Sequence, residues 1–166
     1  MVETTYAASD LISFAIKLML AVDLAQDRAQ VVAEILVEAD LMGHSTHGLQ
    51  LLSGYLGELE ADSMEKEGEP DVIADRGAAI TWDGHYLPGP WLVKQAMDIA
   101  FERVQGHPVV TVVVQRSHHI ACLATYLERA TEKGLLMLLA TSDPSVQTVA
   151  PYGGIQPVYT PNPIAA

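Results

Sequence analysis

Two pairs of histidines carry the chemistry open to this chain. His44 and His47 stand three apart in the polar turn His44-Ser45-Thr46-His47-Gly48, and His118 and His119 are adjacent in Arg116-Ser117-His118-His119. Imidazole changes charge near neutral pH, so it suits proton transfer to or from a hydroxyl or carbonyl oxygen. Four imidazoles could also hold zinc in a tetrahedron, the basis of a zinc-dependent hydrolase. The spacing matches no known zinc motif, however, and no His-Glu-x-x-His is present, so no metal ligands are assigned. His47 and His119 are each expected to precede a helix directly, where the positive end of the helix dipole would keep an imidazole neutral and ready to accept a proton. His85 and His107 read as ordinary surface or core residues. Cys122 is the single cysteine and reads as a packing residue. No internal disulfide is possible, which favours a cytoplasmic setting.

The elements that must position these residues follow from apolar spacing. Ser9 or Asp10 can cap a helix running to about Val22. A second helix is predicted over about Asp27 to Leu41, with Val31, Val32, Ile35, Leu36 and Ala39 on one stripe and Gly43 at its end. A third, from about Gly48 to Leu59, places Leu49, Leu52, Tyr55, Leu56 and Leu59 on one face. Residues 1–62 thus read as a helical region, and 63–166 as an α/β catalytic and cofactor region that is incomplete at its C-terminal end. Ala61 to Pro70 is acidic and reads as a linker. Asp71–Ala74 and Ala78–Trp82 read as a strand pair turning near Arg76-Gly77, and a further helix runs to about Gln105. The run Pro108–Val114 reads as a buried strand, Ile120–Lys133 as a helix and Leu135–Ala140 as another strand, a βαβ unit with ligands expected at the carboxyl ends of its strands.

Composition narrows the function. At 49% hydrophobic and 18% charged, the chain is expected to fold rather than form an acidic disordered tail. A net charge of −12 with nine scattered Lys and Arg excludes a basic stripe for nucleic acid. The first ten residues carry Glu3 and Asp10 but no Lys or Arg, unlike a signal peptide, and no uncharged stretch is long enough to span a bilayer. No Walker pattern and no Gly-x-Gly-x-x-Gly after a strand is present, so a Rossmann-type phosphate loop is absent. The last residues, Pro161 to Ala166, read as ordered chain rather than a polar tail, as expected of a truncated fold.

Four motifs, in order along the chain, resemble one family. Ala39-Asp40-Leu41-Met42-Gly43-His44-Ser45-Thr46-His47-Gly48 is similar to the "ADLRGxxSHG" signature of the malate/L-lactate dehydrogenase-like family, and Ser117-His118-His119 to its "SNH" motif. Thr141-Ser142-Asp143-Pro144 with Val149 to Gly154 resembles "TNS…VAPxGG", and Asn162-Pro163-Ile164-Ala165 resembles "TNPIA". The resemblance covers the whole chain but about the first half of a family member. It implies a non-Rossmann α/β fold, a helical layer followed by a mixed sheet, usually dimeric, using NAD or NADP to move hydride to or from a small 2-hydroxy or 2-oxo acid. By resemblance His47 and His119 are the active-site histidines; Thr46, Tyr55, Arg116 and His118 would contact substrate; and Ser142, Asp143 and Asn162 would contact cofactor. Where the family commonly has an arginine and a proline after the first histidine, this chain has Leu51 and Ser53, so Arg116 is nominated as a replacement anchor for a substrate carboxylate. A homologue without activity, serving as a binding or structural protein, is the alternative.

Overall fold

The computed structural model describes residues 5–143 and 146–166; Glu3 and the Pro144 of the third motif lie outside them. Two compact units are present, Met1–Cys122 and Leu123–Ala166.

The first unit begins with α1 (Ala8–Leu20) and α2 (Gln26–Leu41), packed on each other. Ser9 and Asp10 lie inside the first turn of α1 rather than at its cap; Ala7 is the cap residue, and Asp10 meets the positive helix end instead. Val32, Ile35, Leu36 and Ala39 of the predicted α2 stripe are buried. Two short 3-10 turns, Ser45–His47 and Leu49–Leu51, lead into α3 (Leu52–Glu60), which buries Leu52, Tyr55 and Leu59. The acidic segment read as a linker is tied down. Arg28, buried in α2, donates to the carbonyl oxygens of Lys66 (2.7 Å) and Gly68 while its guanidinium lies 4.6 Å from the Trp91 ring centre.

The sheet is three-stranded, in the order β1 (Asp71–Asp75), β2 (Ala79–Asp83), β3 (Thr111–Gln115). β1 and β2 form the predicted antiparallel pair, turning at Gly77, whose φ of 75° suits glycine. β2 pairs in parallel with β3, and α4 (Gly89–Arg103) connects them. The βαβ unit is therefore β2–α4–β3, one strand earlier than the strand spacing predicts. Leu87, Trp91 and Leu92 at the start of α4 form a buried cluster against Val31 of α2 and Val114 of β3. The Trp91 indole N–H donates to Asp27 at 3.0 Å, joining the helical layer to the sheet layer.

In the second unit α5 (Ala124–Thr131) precedes β4 (Leu139–Ala140), which pairs antiparallel with β5 (Ile164–Ala165) and not with β3. Much of the apolar run from Leu135 is not strand, and Leu136 and Leu138 are exposed. α5 also starts four residues later than predicted, because Ala121 adopts a left-handed φ of 57°, a conformation that ends regular structure for a non-glycine residue. No helix of the described residues is long and apolar enough to cross a membrane.

At the β1–β2 turn Arg103 of α4 grips Asp75 through two hydrogen bonds of 2.6 Å and also donates to Gly77 O at 2.8 Å. The guanidinium holds the Asp75 carboxyl down at a pKa of about 2, below its ordinary 3.8. Because the folded value is the depressed one, the stabilisation is fully present above pH 3.8 and is lost as pH falls toward about 2. The melting temperature of the parent protein should therefore fall across this window more steeply than that of Asp75→Asn. Parallel acid profiles for the two proteins would contradict the assignment.

Candidate active site

The residues from Ala39 to Leu49 build one wall of the site around His47. α2 ends in a double closure: Gly43 N–H donates to Asp40 O (2.9 Å) and His44 N–H to Ala39 O (2.8 Å), with Gly43 at φ 81°. This is the Schellman arrangement, and it turns the chain sharply into the 3-10 turn that carries His47. The Asp40 carboxylate then accepts the Leu49 N–H at 2.9 Å. It lies so close to Gly48 that a Cβ there would sit 2.2 Å from Oδ1. Asp40 thus clamps the far side of the turn, and the motif's aspartate and second glycine are explained by one contact. His47 is exposed, with Thr46 Oγ1 3.0 Å from its Nδ1.

The opposite wall is the loop leaving β3. It is laddered to the loop after β2: Gly84 N–H donates to Gln115 O (2.8 Å), Tyr86 N–H to Arg116 O (2.6 Å) and His118 N–H to Leu87 O (3.2 Å). Arg116 and Ala121, both left-handed, bracket the segment containing His118 and His119. Non-glycine residues there store local strain, which persists only where surrounding structure holds them. The first turn of α4 is packed against this segment. A Cβ on Gly89 would lie 2.3 Å from the carbonyl oxygens of both His118 and His119.

α3 supplies the floor. Tyr55, buried, brings Oη to 2.8 Å from His119 Nδ1 and 3.2 Å from His119 O. The Ala121 N–H donates to the same Nδ1 at 3.2 Å. The His47 and His119 rings lie 5.9 Å apart, centre to centre, and the Tyr55 ring stands edge-on to both His118 (6.1 Å) and His119 (6.0 Å). Glu58, one turn beyond Tyr55, places Oε2 3.9 Å from His118 Nε2. Burial pushes the Tyr55 phenol far above its ordinary value, so its hydroxyl keeps its proton at any physiological pH.

The structure therefore brings Thr46, His47, Tyr55, His118 and His119 together. Arg116 is engaged elsewhere. Its guanidinium is committed to Asp83 at the end of β2, with Nε 2.8 Å from Oδ1 and 3.0 Å from Oδ2 and a further contact through the second nitrogen. Those hydrogen bonds hold the buried Asp83 carboxyl well below the usual range. Arg116 buttresses the loop instead of standing free for a substrate carboxylate. His119 is likewise not at a helix N-terminus, since α5 begins at Ala124 and Ala121 interrupts; the dipole argument does not apply to it. His85, read as an ordinary residue, joins this buttress: its backbone N–H donates to Asp83 Oδ1 at 3.1 Å, and its Nε2 lies 2.8 Å from Asp71. Asp40, Glu58, Asp83 and Gly89 were not legible as site residues. Glu58, Asp83 and Gly89 act on partners far along the chain, and spacing alone carries no signal of that.

In the second unit Thr141 N–H donates to Pro163 O at 3.2 Å, so Ser142 and Asn162 flank the same end of the β4–β5 ladder, beside Asp143. All three are exposed. Among the described residues no group of three or more His, Cys, Asp or Glu is placed to hold a metal ion.

With this geometry, the chain can be set beside known proteins. It belongs to the malate/L-lactate dehydrogenase family, whose model matches residues 6–166. It is 35% identical over 139 residues to an L-lactate dehydrogenase of Cupriavidus necator, covering 83% of this chain and 40% of that protein. It is 26% identical over 153 residues to a malate/(S)-sulfolactate dehydrogenase of Methanothermus fervidus, covering 92% of this chain and 44% of that protein. The malate dehydrogenase structure from Pyrococcus horikoshii superposes with a TM-score of 0.85 at 26% identity, covering 99% of this chain and 49% of that one. The chain spans less than half the length of these relatives.

Two glycine substitutions separate close approach from mere flexibility. Gly89→Ala should destabilise the protein by about 2 kcal/mol or more, since the new methyl meets backbone that cannot swing away. Gly54→Ala, on α3 with nothing within 4 Å of its Cβ, should stabilise by about 0.5–1 kcal/mol. Chemical denaturation checks both, and equal effects would contradict the packing described here.

Proposed function

We propose that the histidine cluster is the proton-transfer site of a nicotinamide-dependent dehydrogenase acting on a small 2-hydroxy or 2-oxo acid. One observation supports this above others: His47 and His119, from distant motifs, stand 5.9 Å apart on one exposed surface. In the oxidative direction the substrate hydroxyl gives its proton to the His119 imidazole; in the reductive direction the imidazolium returns it to the carbonyl oxygen. His47, with Thr46 on its Nδ1, faces the same space and orients the reacting oxygen. With Arg116 engaged and Leu51 apolar, His118 is the residue proposed to meet the substrate carboxylate.

NAD or NADP is the proposed cofactor, and it supplies the hydride donor or acceptor when bound. Ser142, Asp143 and Asn162 fit this group in chemistry: a hydroxyl, a carboxylate and an amide at one end of a short ladder suit ribose hydroxyls or a carboxamide. Asp143 disfavours a phosphate at its own position. The names of the relatives, L-lactate, malate and sulfolactate dehydrogenases, support a small hydroxy acid as substrate. We further propose a cytoplasmic homodimer, on the single cysteine and the family resemblance.

In assays of nicotinamide absorbance with lactate, malate and sulfolactate, His119→Ala should lower kcat by about 10²–10⁴-fold. Cofactor affinity, read by quenching of protein fluorescence, should be preserved. His118→Ala should act mainly on KM. If His119→Ala leaves kcat within about threefold of the parent, the proton passes elsewhere and His47 takes the role.

A further inference from the structure

We propose that Tyr55 is a positioning residue whose hydroxyl sets which ring nitrogen of His119 carries the proton, by turning between that ring and the His119 carbonyl. The inference rests on the proton-transfer role given to His119 above. Two possible donors surround Nδ1: the Ala121 N–H at 3.2 Å and the Tyr55 hydroxyl at 2.8 Å. A backbone N–H can only donate, so Nδ1 receives it on its lone pair, and the resting neutral ring carries its proton on Nε2. In that form Nε2 can donate a hydrogen bond but cannot accept a proton.

The Tyr55 hydroxyl resolves this conflict. Buried and permanently protonated, it always has one proton to give and lone pairs to offer. Its second acceptor, His119 O, is 3.2 Å away. When the hydroxyl turns its proton to that carbonyl, Oη becomes an acceptor for Nδ1–H and for the Ala121 N–H, which also reaches it. The ring can then hold its proton on Nδ1 and present a bare Nε2 to a substrate hydroxyl. The proton leaving that hydroxyl lands on Nε2, and the imidazolium so formed keeps Nδ1–H on Tyr55 Oη. The ring proton itself passes from Nε2 to Nδ1 by exchange with solvent, to which His119 is exposed; on the protein side only a hydroxyl hydrogen has to rotate. Other titratable groups near His119 among the described residues include His47 from the 3-10 turn, 5.9 Å away between ring centres, its neighbour His118, and Glu58 of α3 beyond His118. Their charges bias the ring as a whole, whereas Tyr55 lies at hydrogen-bond distance of Nδ1 itself.

The test is the side-chain ¹⁵N spectrum of histidine-labelled protein, followed against pH in the parent and in Tyr55→Phe. Long-range ¹⁵N–¹H couplings report which nitrogen is protonated. The parent should show a neutral His119 ring predominantly protonated on Nε2, with a detectable Nδ1–H population. Tyr55→Phe should remove that population and form the imidazolium about one pH unit lower, since a charged hydrogen bond is lost. The kcat–pH profile should shift in the same direction. An unchanged tautomer signature and midpoint in a folded Tyr55→Phe would overturn the proposal. If Tyr55→Phe does not fold, the parent spectrum decides alone: an Nε2–H ring with its Nδ1–H minority supports the switch, and a single fixed tautomer at either nitrogen overturns it. These spectra need neither substrate nor cofactor, so they separate the Tyr55 role from the turnover tests of His119.

Discussion

The site depends on a backbone contact. The first turn of α4 lies so close to the carbonyl oxygens of His118 and His119 that only glycine fits at position 89. Close approach of this kind fixes a loop more firmly than side-chain packing, because backbone cannot change rotamer to escape. α4 is in turn held by Trp91, which hydrogen-bonds Asp27 and stacks under Arg28. The position of His119 is thereby referred to the helical layer, the same layer that carries His47 and Tyr55. Two motifs far apart in sequence meet because one helix registers both.

Charge is used locally against an acidic whole. The chain is strongly negative, yet three of its five arginines are spent on fixing loops. Arg28 pins the segment from Lys66 to Gly68, Arg103 pins the β1–β2 turn, and Arg116 pins the exit of β3 to Asp83. The left-handed backbone at Arg116 places its side chain back toward β2 and leaves the following residues to face the histidine cluster. The site is consequently built from imidazoles, a phenol and a hydroxyl. Such a set moves protons well and attracts anions weakly, which puts weight on His118 for any carboxylate.

The helical layer was legible because its apolar stripes repeat at helical spacing, and the glycine ending α2 was legible because left-handed closure favours that residue. His47 and His119 were nominated from their places beside predicted helices and from the motif resemblance. The strand order was not legible. An apolar run at 135–140 looks like a strand whatever its partner, and pairing is decided by β5 at the far end of the second unit. The start of α5 was misplaced because nothing in Ile120-Ala121-Cys122 announces a left-handed alanine. The partner of Arg116 was hidden for a related reason. A lone cation near a histidine motif reads as a ligand-binding group until its carboxylate partner, 33 residues away, is seen. Asp40 illustrates the converse, since its place in the motif was plain while its work on Leu49 and Gly48 required coordinates.

The central claim is that His47 and His119 face one substrate. It is tested most directly by titrating the protein, with its cofactor, with oxamate, a non-reacting amide analogue of a 2-oxo acid, while following the ring resonances of both histidines. The account predicts that both shift along one binding curve with a common dissociation constant. Saturable binding that moves only one of the two rings, or neither, would contradict it.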